Sequence, residues 1–191
     1  MRKRYAAAAG VAVLLLLARA YLSTGGSTPA QQPPLADVSD LGAFEAEFSR
    51  ETASLRVIVL LSPSCPYCLK GAAEVERILR RHPGRPLVIF AVWQPILPTD
   101  WGKPGTGSLR RLSDPRVRQF WDAGHRVAAA LEHSSRGRDL QPSCCFNKGV
   151  WWDLMAVFPP GTEWRETLPA PILLDGTVAE AAPAFEALLD R

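Results

Sequence analysis

Residues 55 to 93 constrain the fold more than any other part of the chain: an apolar strand, a cysteine pair, an amphipathic helix and a second apolar strand follow without a break. LRVIVLL, 55–61, is a β-branched apolar run of the length expected for a strand buried on both faces. SPSCPYC follows at once. From Pro66 to Arg81 the pattern turns helical, with Cys68, Ala72, Val75 and Leu79 on one face and Leu69 and Ile78 beside them. HPGRP ends that helix, since Pro and Gly cannot continue it, and LVIFAVW, 87–93, is a second buried strand. Such a strand, helix and strand make a parallel pair joined by a right-handed crossover.

The ends are simpler. MRKR and the apolar run Tyr5 to Ala18 form an export signal. Ala18, Arg19 and Ala20 make a small-x-small triplet that a signal peptidase could cut, while Tyr5 to Leu22 is long enough to stay as a membrane anchor. A cleaved signal peptide and a retained anchor over residues 1–22 both stand, and either leaves the body outside the cytoplasm, because lysine and arginine resist translocation. No cysteine follows closely enough for lipid attachment. Residues 23–36, rich in Gly, Ser, Thr, Pro and Gln, read as a flexible tether, so the folded domain is expected from 37 to 191. A net charge of +3 with scattered arginines gives nucleic-acid binding no support.

Within the domain, Asp37 or Ser39 can cap a helix over about 39–51, with Leu41, Phe44 and Phe48 inward. SDPRVRQFWD, 113–122, reads as a capped helix with Pro115 in its first turn, and AGHRVAAALEHS as another. GVWWDLMAVF, 149–158, reads as a strand closed by PPGT. APILLDGTV offers a strand and an Asp-Gly turn, and the last residues an amphipathic helix with Phe185, Leu188 and Leu189 inward.

The dithiol has a mechanism available. Unpaired N–H groups and the positive end of the helix dipole stabilise a thiolate at a helix N-terminus, drawing a cysteine pKa to roughly 3.5–7.5. Cys65 is that residue. Pro66 suits the first turn because its missing N–H had no partner there. Cys68, one turn on and on the apolar face, can attack a mixed disulfide formed at Cys65.

Strand, CPYC, helix, strand and, much later, a proline opening a strand together resemble the thioredoxin-like superfamily, over Asp37 to Phe90 and about Leu168 to Arg191. CPYC is the glutaredoxin spelling; SPSCPYC after an export signal is more like extracytoplasmic members. The resemblance implies an α/β thioredoxin-like fold, a central mixed sheet flanked by helices, here with a helical or loop insertion over about 94–167 before the cis-proline strand. It implies thiol-disulfide exchange with protein thiols and disulfides, a redox-recycling partner, and no cofactor. Pro171 matches the cis-proline that faces the dithiol and positions substrate backbone. Two departures stand out. Thioredoxins carry a buried aspartate six residues before the first cysteine, where this chain has Val59; glutathione recognition by glutaredoxins uses Thr-Val-Pro, where this chain has Pro-Ala-Pro. LPTDW, SDPRV, FWD and the Trp-rich stretch 151–164 are similar to a group of bacterial thioredoxin-like proteins of undefined role.

Other readings of the cysteines remain open. Cys65 and Cys68 could be half of a zinc site, but the adjacent Cys144 and Cys145 fit a second chelating loop poorly. Either pair could hold soft Cu(I) or Hg(II) as a carrier or sensor without turnover, and Cys65–Cys68 could be purely structural. Cys144 and Cys145 could bond to each other, relay electrons to Cys65 as a second redox pair, or serve structure alone. Asp153 reads as core packing inside its strand, and His82, His125 and His133 as surface or satisfied histidines.

Overall fold

A sheet of six strands organises the residues described by the computed structural model, 34–136 and 141–190. In spatial order it runs β1 (Leu35–Asp37), β4 (Val117–Trp121), β3 (Leu87–Trp93), β2 (Leu55–Leu61), β7 (Leu154–Phe158) and β8 (Leu173–Gly176). The first four lie parallel; β7 is antiparallel to both β2 and β8. A small hairpin, β5 (Phe146–Asn147) and β6 (Val150–Trp151), stands apart. The helices are α1 (Leu41–Arg50), α2 (Pro66–Arg81), the single turn α3 (Thr106–Leu109), α4 (Arg126–Ser135) and α5 (Val178–Leu189).

The apolar runs at 55–61 and 87–93 have no polar face because both sides of the sheet are covered. Val57, Val59 and Leu61 point with Ile89 and Ala91 into a core closed by α2 and α5. Ile58 and Leu60 point the other way, with Phe90 and Val92, into a core closed by α1 and α4. Full burial of each such side chain is worth roughly 1.5–3 kcal/mol, so the two strands anchor both layers. Close approach of α2 to α5 depends on Gly71, where a Cβ would fall 2.6 Å from the Val178 Cβ. Arg56 is the one charged residue in β2. Its guanidinium lies over the Phe48 ring and donates to the carbonyls of Phe48, Pro159 and Thr162, tying α1 to the turn after β7.

This is a thioredoxin-like α/β arrangement: a mixed sheet flanked by helices, with the cysteine pair where β2 passes into α2. The strands at 55–61 and 87–93 and the helix at 66–81 occupy the residues their periodicity indicates. The proposed signal or anchor, and the tether as far as residue 33, lie outside the described residues. Leu35 and Ala36, read as tether, instead begin β1 against Gln119 and Phe120. The α1 cap is neither Asp37 nor Ser39 but Asp40, whose side chain accepts the Ala43 amide at 3.1 Å.

Two further expectations are corrected. Residues 113–122 are not a helix. Ser113 and Asp114 bind Glu76 of α2 through the Ser113 amide, the Ser113 hydroxyl and the Asp114 amide. Arg116 donates to the carbonyls of Leu79 and His82, closing the end of α2. Val117–Trp121 then pairs with Ile89–Trp93 as β4. The segment 94–167 is likewise more than a helical or loop insertion, since it supplies two strands of the central sheet, β4 and β7.

Candidate active site

Cys65 caps α2. Its backbone is extended (φ −77°, ψ 118°), its Sγ accepts the Cys68 amide at 3.5 Å, and its carbonyl accepts the Leu69 amide at 3.0 Å, with Pro66 in the first turn. Both thiols are free and buried, Cys65 at 2% exposure and Cys68 at 0%. Their environments pull them apart. A hydrogen bond with the Cys68 thiol, helped by the amides of Cys68 and Tyr67, outweighs burial and the Asp153 charge to bring Cys65 down to about 7. Burial drives Cys68 far above the ordinary thiol range, and its bond to Cys65 and the Asp153 charge add to this.

Asp100 braces the loop before the dithiol. Its carboxylate accepts the Ser64 amide (3.0 Å), the Ser62 hydroxyl (2.8 Å) and the amides of Ile96 and Leu97 (2.8 Å each). Burial opposes this charge, but the four donors prevail and hold the carboxyl below the usual range. The LPTDW motif is therefore part of the site's frame, and it leaves Trp101 exposed, as Tyr67 is within the CPYC tetrad.

Asp153 completes the site. It directly precedes β7, whose first residue, Leu154, pairs with Leu60 near the end of β2. Its φ of 49° lies in the left-handed region, which aspartate tolerates better than most residues. One carboxylate oxygen accepts the Val178 amide at 3.2 Å, and the side chain is 1% exposed. A carboxylate oxygen and the sulfurs of Cys65 and Cys68 all lie within 4.8 Å of one another. Burial pushes the Asp153 carboxyl up, against the Val178 amide and the Cys68 thiol, with Glu180 adding to the rise. As core packing, this residue would be an expensive choice. The signal that could have marked it is an ionisable residue inside the apolar run WWDLMAVF.

Pro171 does not face the dithiol. The strand antiparallel to β2 is β7, and the residue just before it is Asp153; Pro171 instead precedes β8, where the Ile172 amide donates to the Val157 carbonyl, and Val157 is registered with Val57. From Val57 to Leu61 is about 13 Å of strand, so Pro171 lies toward the opposite end of the sheet from Cys65. Among the described residues the only cis peptide bond is Gly176–Thr177, so the bond before Pro171 is trans. The physical reason is topological: the sheet takes its β2 partner from 154–158, leaving the segment after Pro171 as an edge strand.

Cys144 and Cys145 are joined as a disulfide of adjacent residues. That loop is stapled to the end of β8 through Ser143, whose amide and hydroxyl bind the Asp175 carboxylate and whose hydroxyl also meets the Gly176 carbonyl. Gly176 lies beside both features: a Cβ there would fall 2.7 Å from the Asp153 carbonyl oxygen and 3.1 Å from the Cys144 Sγ. The second cysteine pair thus sits at the dithiol end of the sheet. A four-thiolate zinc site is not assembled, since two of the sulfurs are bonded to each other. No further His, Cys, Asp or Glu among the described residues joins the Cys65, Cys68 and Asp153 cluster. The histidines lie elsewhere, His82 against Glu186 and His125 against the Pro95 carbonyl.

No family model and no curated protein matches the chain. Several solved structures resemble it. A thioredoxin-like protein, solved in solution in its oxidised form, is 18% identical with a TM-score of 0.45, covering 71% of this chain and 77% of its own. The thioredoxin domain of a thiol-disulfide oxidoreductase from Bacteroides vulgatus is 12% identical with a TM-score of 0.41, covering 71% and 81%. A secreted Mycobacterium tuberculosis disulfide oxidoreductase is 7% identical with a TM-score of 0.38, covering 74% and 84%.

Proposed function

We propose that the protein is an extracytoplasmic thiol-disulfide oxidoreductase in which Cys65 attacks and Cys68 resolves. The observation that carries this reading is the inequality of the two thiols. Cys65, at about 7, offers thiolate near neutral pH at the start of its helix, while the fully buried Cys68 stays protonated until a mixed disulfide forms beside it. Partners are protein thiols and disulfides, together with a second protein that recycles the dithiol. Whether a disulfide is delivered or withdrawn follows from the potential of the pair relative to those partners.

The export signal and the Cys144–Cys145 disulfide support a location outside the cytoplasmic membrane, tethered there if residues 1–22 are retained. Among the described residues no helix is long and apolar enough to cross a membrane. Cys144 and Cys145 serve as a second redox pair at the same end of the sheet. Substrate positioning does not fall to Pro171.

Reduction of a model peptide disulfide, or oxidation of its dithiol, tests the reading with Cys65→Ser and Cys68→Ser variants. The parent is expected to exchange, Cys65→Ser to be inactive, and Cys68→Ser to accumulate a mixed disulfide at Cys65. Equal rates for the parent and Cys65→Ser would sink the proposal. Stoichiometric copper or mercury in the isolated protein, without exchange, would favour a soft-metal carrier instead.

A further inference from the structure

We infer that the Cys144–Cys145 disulfide is reduced by a small thiol carrying a free amino-acid group, which docks in the cavity between the end of α4 and the β5–β6 hairpin. This rests on the reading of these two cysteines as a second redox pair. The cavity measures about 590 Å³ and has the disulfide in one wall. Phe146 and Trp151 of the hairpin give it apolar surface. Glu132 of α4 and Arg136, which caps that helix, give it a carboxylate and a guanidinium. A space of this size suits a small molecule and not a folded chain.

Access separates the two cysteine pairs. Cys65 and Cys68 are buried, whereas Cys144 and Cys145 are half-buried and line the cavity, where a dissolved thiol meets them. Their neighbours differ. Cys145 packs against the core on the α4 side of the sheet, while Cys144 Sγ lies 3.1 Å from where a Gly176 Cβ would fall. Recognition falls to the charged pair. Arg136 Nη2 donates to Glu132 Oε1 at 3.2 Å, with side chains 67% and 33% exposed. An exposed pair of this kind adds little to stability, so it opens readily. The guanidinium then meets the ligand's carboxylate in its fork geometry, and the Glu132 carboxylate meets the ligand's ammonium group.

The small thiolate attacks Cys145 Sγ, a bond forms between the two sulfurs, and the Cys144–Cys145 bond breaks. Cys144 leaves as thiolate and takes from water the proton that the small thiol gave up. A second small thiolate attacks the ligand's sulfur in the mixed disulfide, and Cys145 leaves and is protonated in turn. Two small thiols have become one symmetrical disulfide, and the protein disulfide has gained two electrons and two protons. Run backwards, the same steps reoxidise the pair at the expense of that symmetrical disulfide.

Oxidised full-length protein is mixed with L-cysteine, cysteamine or N-acetylcysteine at equal thiolate concentration and blocked with N-ethylmaleimide. Labelling of Cys144 and Cys145 is then read by peptide mass. Reduction by cysteine should saturate with concentration. Cysteamine, which lacks the carboxylate, and N-acetylcysteine, whose amine is blocked, should each be about tenfold less efficient. Arg136→Gln should abolish the advantage of cysteine over cysteamine, and Glu132→Gln its advantage over N-acetylcysteine. L-serine, the same zwitterion without a thiol, needs no variant: it should slow reduction by cysteine and leave reduction by dithiothreitol unchanged. A single rate constant, linear in concentration for all three thiols and indifferent to serine, would overturn the inference. A preference for cysteine that survives both substitutions would also overturn it. Cys144 and Cys145 that stay oxidised even in excess dithiothreitol would instead sink the reading of them as a second redox pair.

Discussion

The Asp100 carboxylate accepts the Ser64 amide at 3.0 Å, so a loop residue outside the sheet sets the backbone one position ahead of Cys65. Three more donors converge on that carboxylate, and none can be satisfied by a methyl group. Asp100→Ala is expected to cost about 2–3 kcal/mol in urea unfolding and to slow exchange at Cys65 by loosening its loop. The carboxyl is depressed in the fold, so its contribution is present above the unfolded pKa and disappears as pH falls through the lower folded value. The parent should accordingly lose stability below about pH 4 more steeply than the variant.

Alkylation of the reduced protein by iodoacetamide should report the inequality of the thiols directly. Cys65 is expected to react with a rate that rises through a midpoint near pH 7 and then levels off. Cys68 should remain unmodified until the protein is unfolded. Because the Cys65 pKa is depressed from 9.0, its contribution to reduced-state stability is full above the unfolded value and is lost as pH falls through about 7. A Cys65 midpoint at the value of an ordinary thiol would contradict the environment described.

Gly176→Ala should disturb the backbone at Asp153 and the second disulfide together. The added Cβ would meet the Leu154 Cδ2 at 2.5 Å and the Asp153 carbonyl oxygen at 2.7 Å, and the latter belongs to backbone that cannot swing aside. A loss of about 1–3 kcal/mol in stability is expected, with slower disulfide exchange. Thermal unfolding and the peptide assay check both; parental values in both would show that the packing at this corner is loose.

Redox titration of the full chain, read by thiol mass mapping, should resolve two two-electron couples. The double variant Cys144→Ser with Cys145→Ser should show one, while still forming the Cys65 mixed disulfide. If Cys144 and Cys145 stay oxidised at every potential that fully reduces Cys65 and Cys68, the second pair is structural and carries no electrons.

Local pattern was enough for the strands at 55–61 and 87–93, for the helix at 66–81 and for Cys65 as its cap. In each, burial repeats at the period of the element itself, and the chemistry of a thiol at a helix start needs no distant residue. Pattern failed where a partner far along the chain decides the outcome. Ser113, Asp114 and Pro115 spell a helix start, yet their polar groups are claimed by Glu76, and the open edge of β3 draws Val117–Trp121 into the sheet. Pro171 looked like the residue beside the dithiol because a proline opens its strand; strand order gave that place to Asp153. An aspartate in an apolar run shows only that a charge is buried. That it is buried against Cys68 follows from β7 pairing antiparallel to β2, a non-local register that no local periodicity encodes. The sequence by itself determined the dithiol and its helix; the tertiary structure alone decided which acid stands beside it.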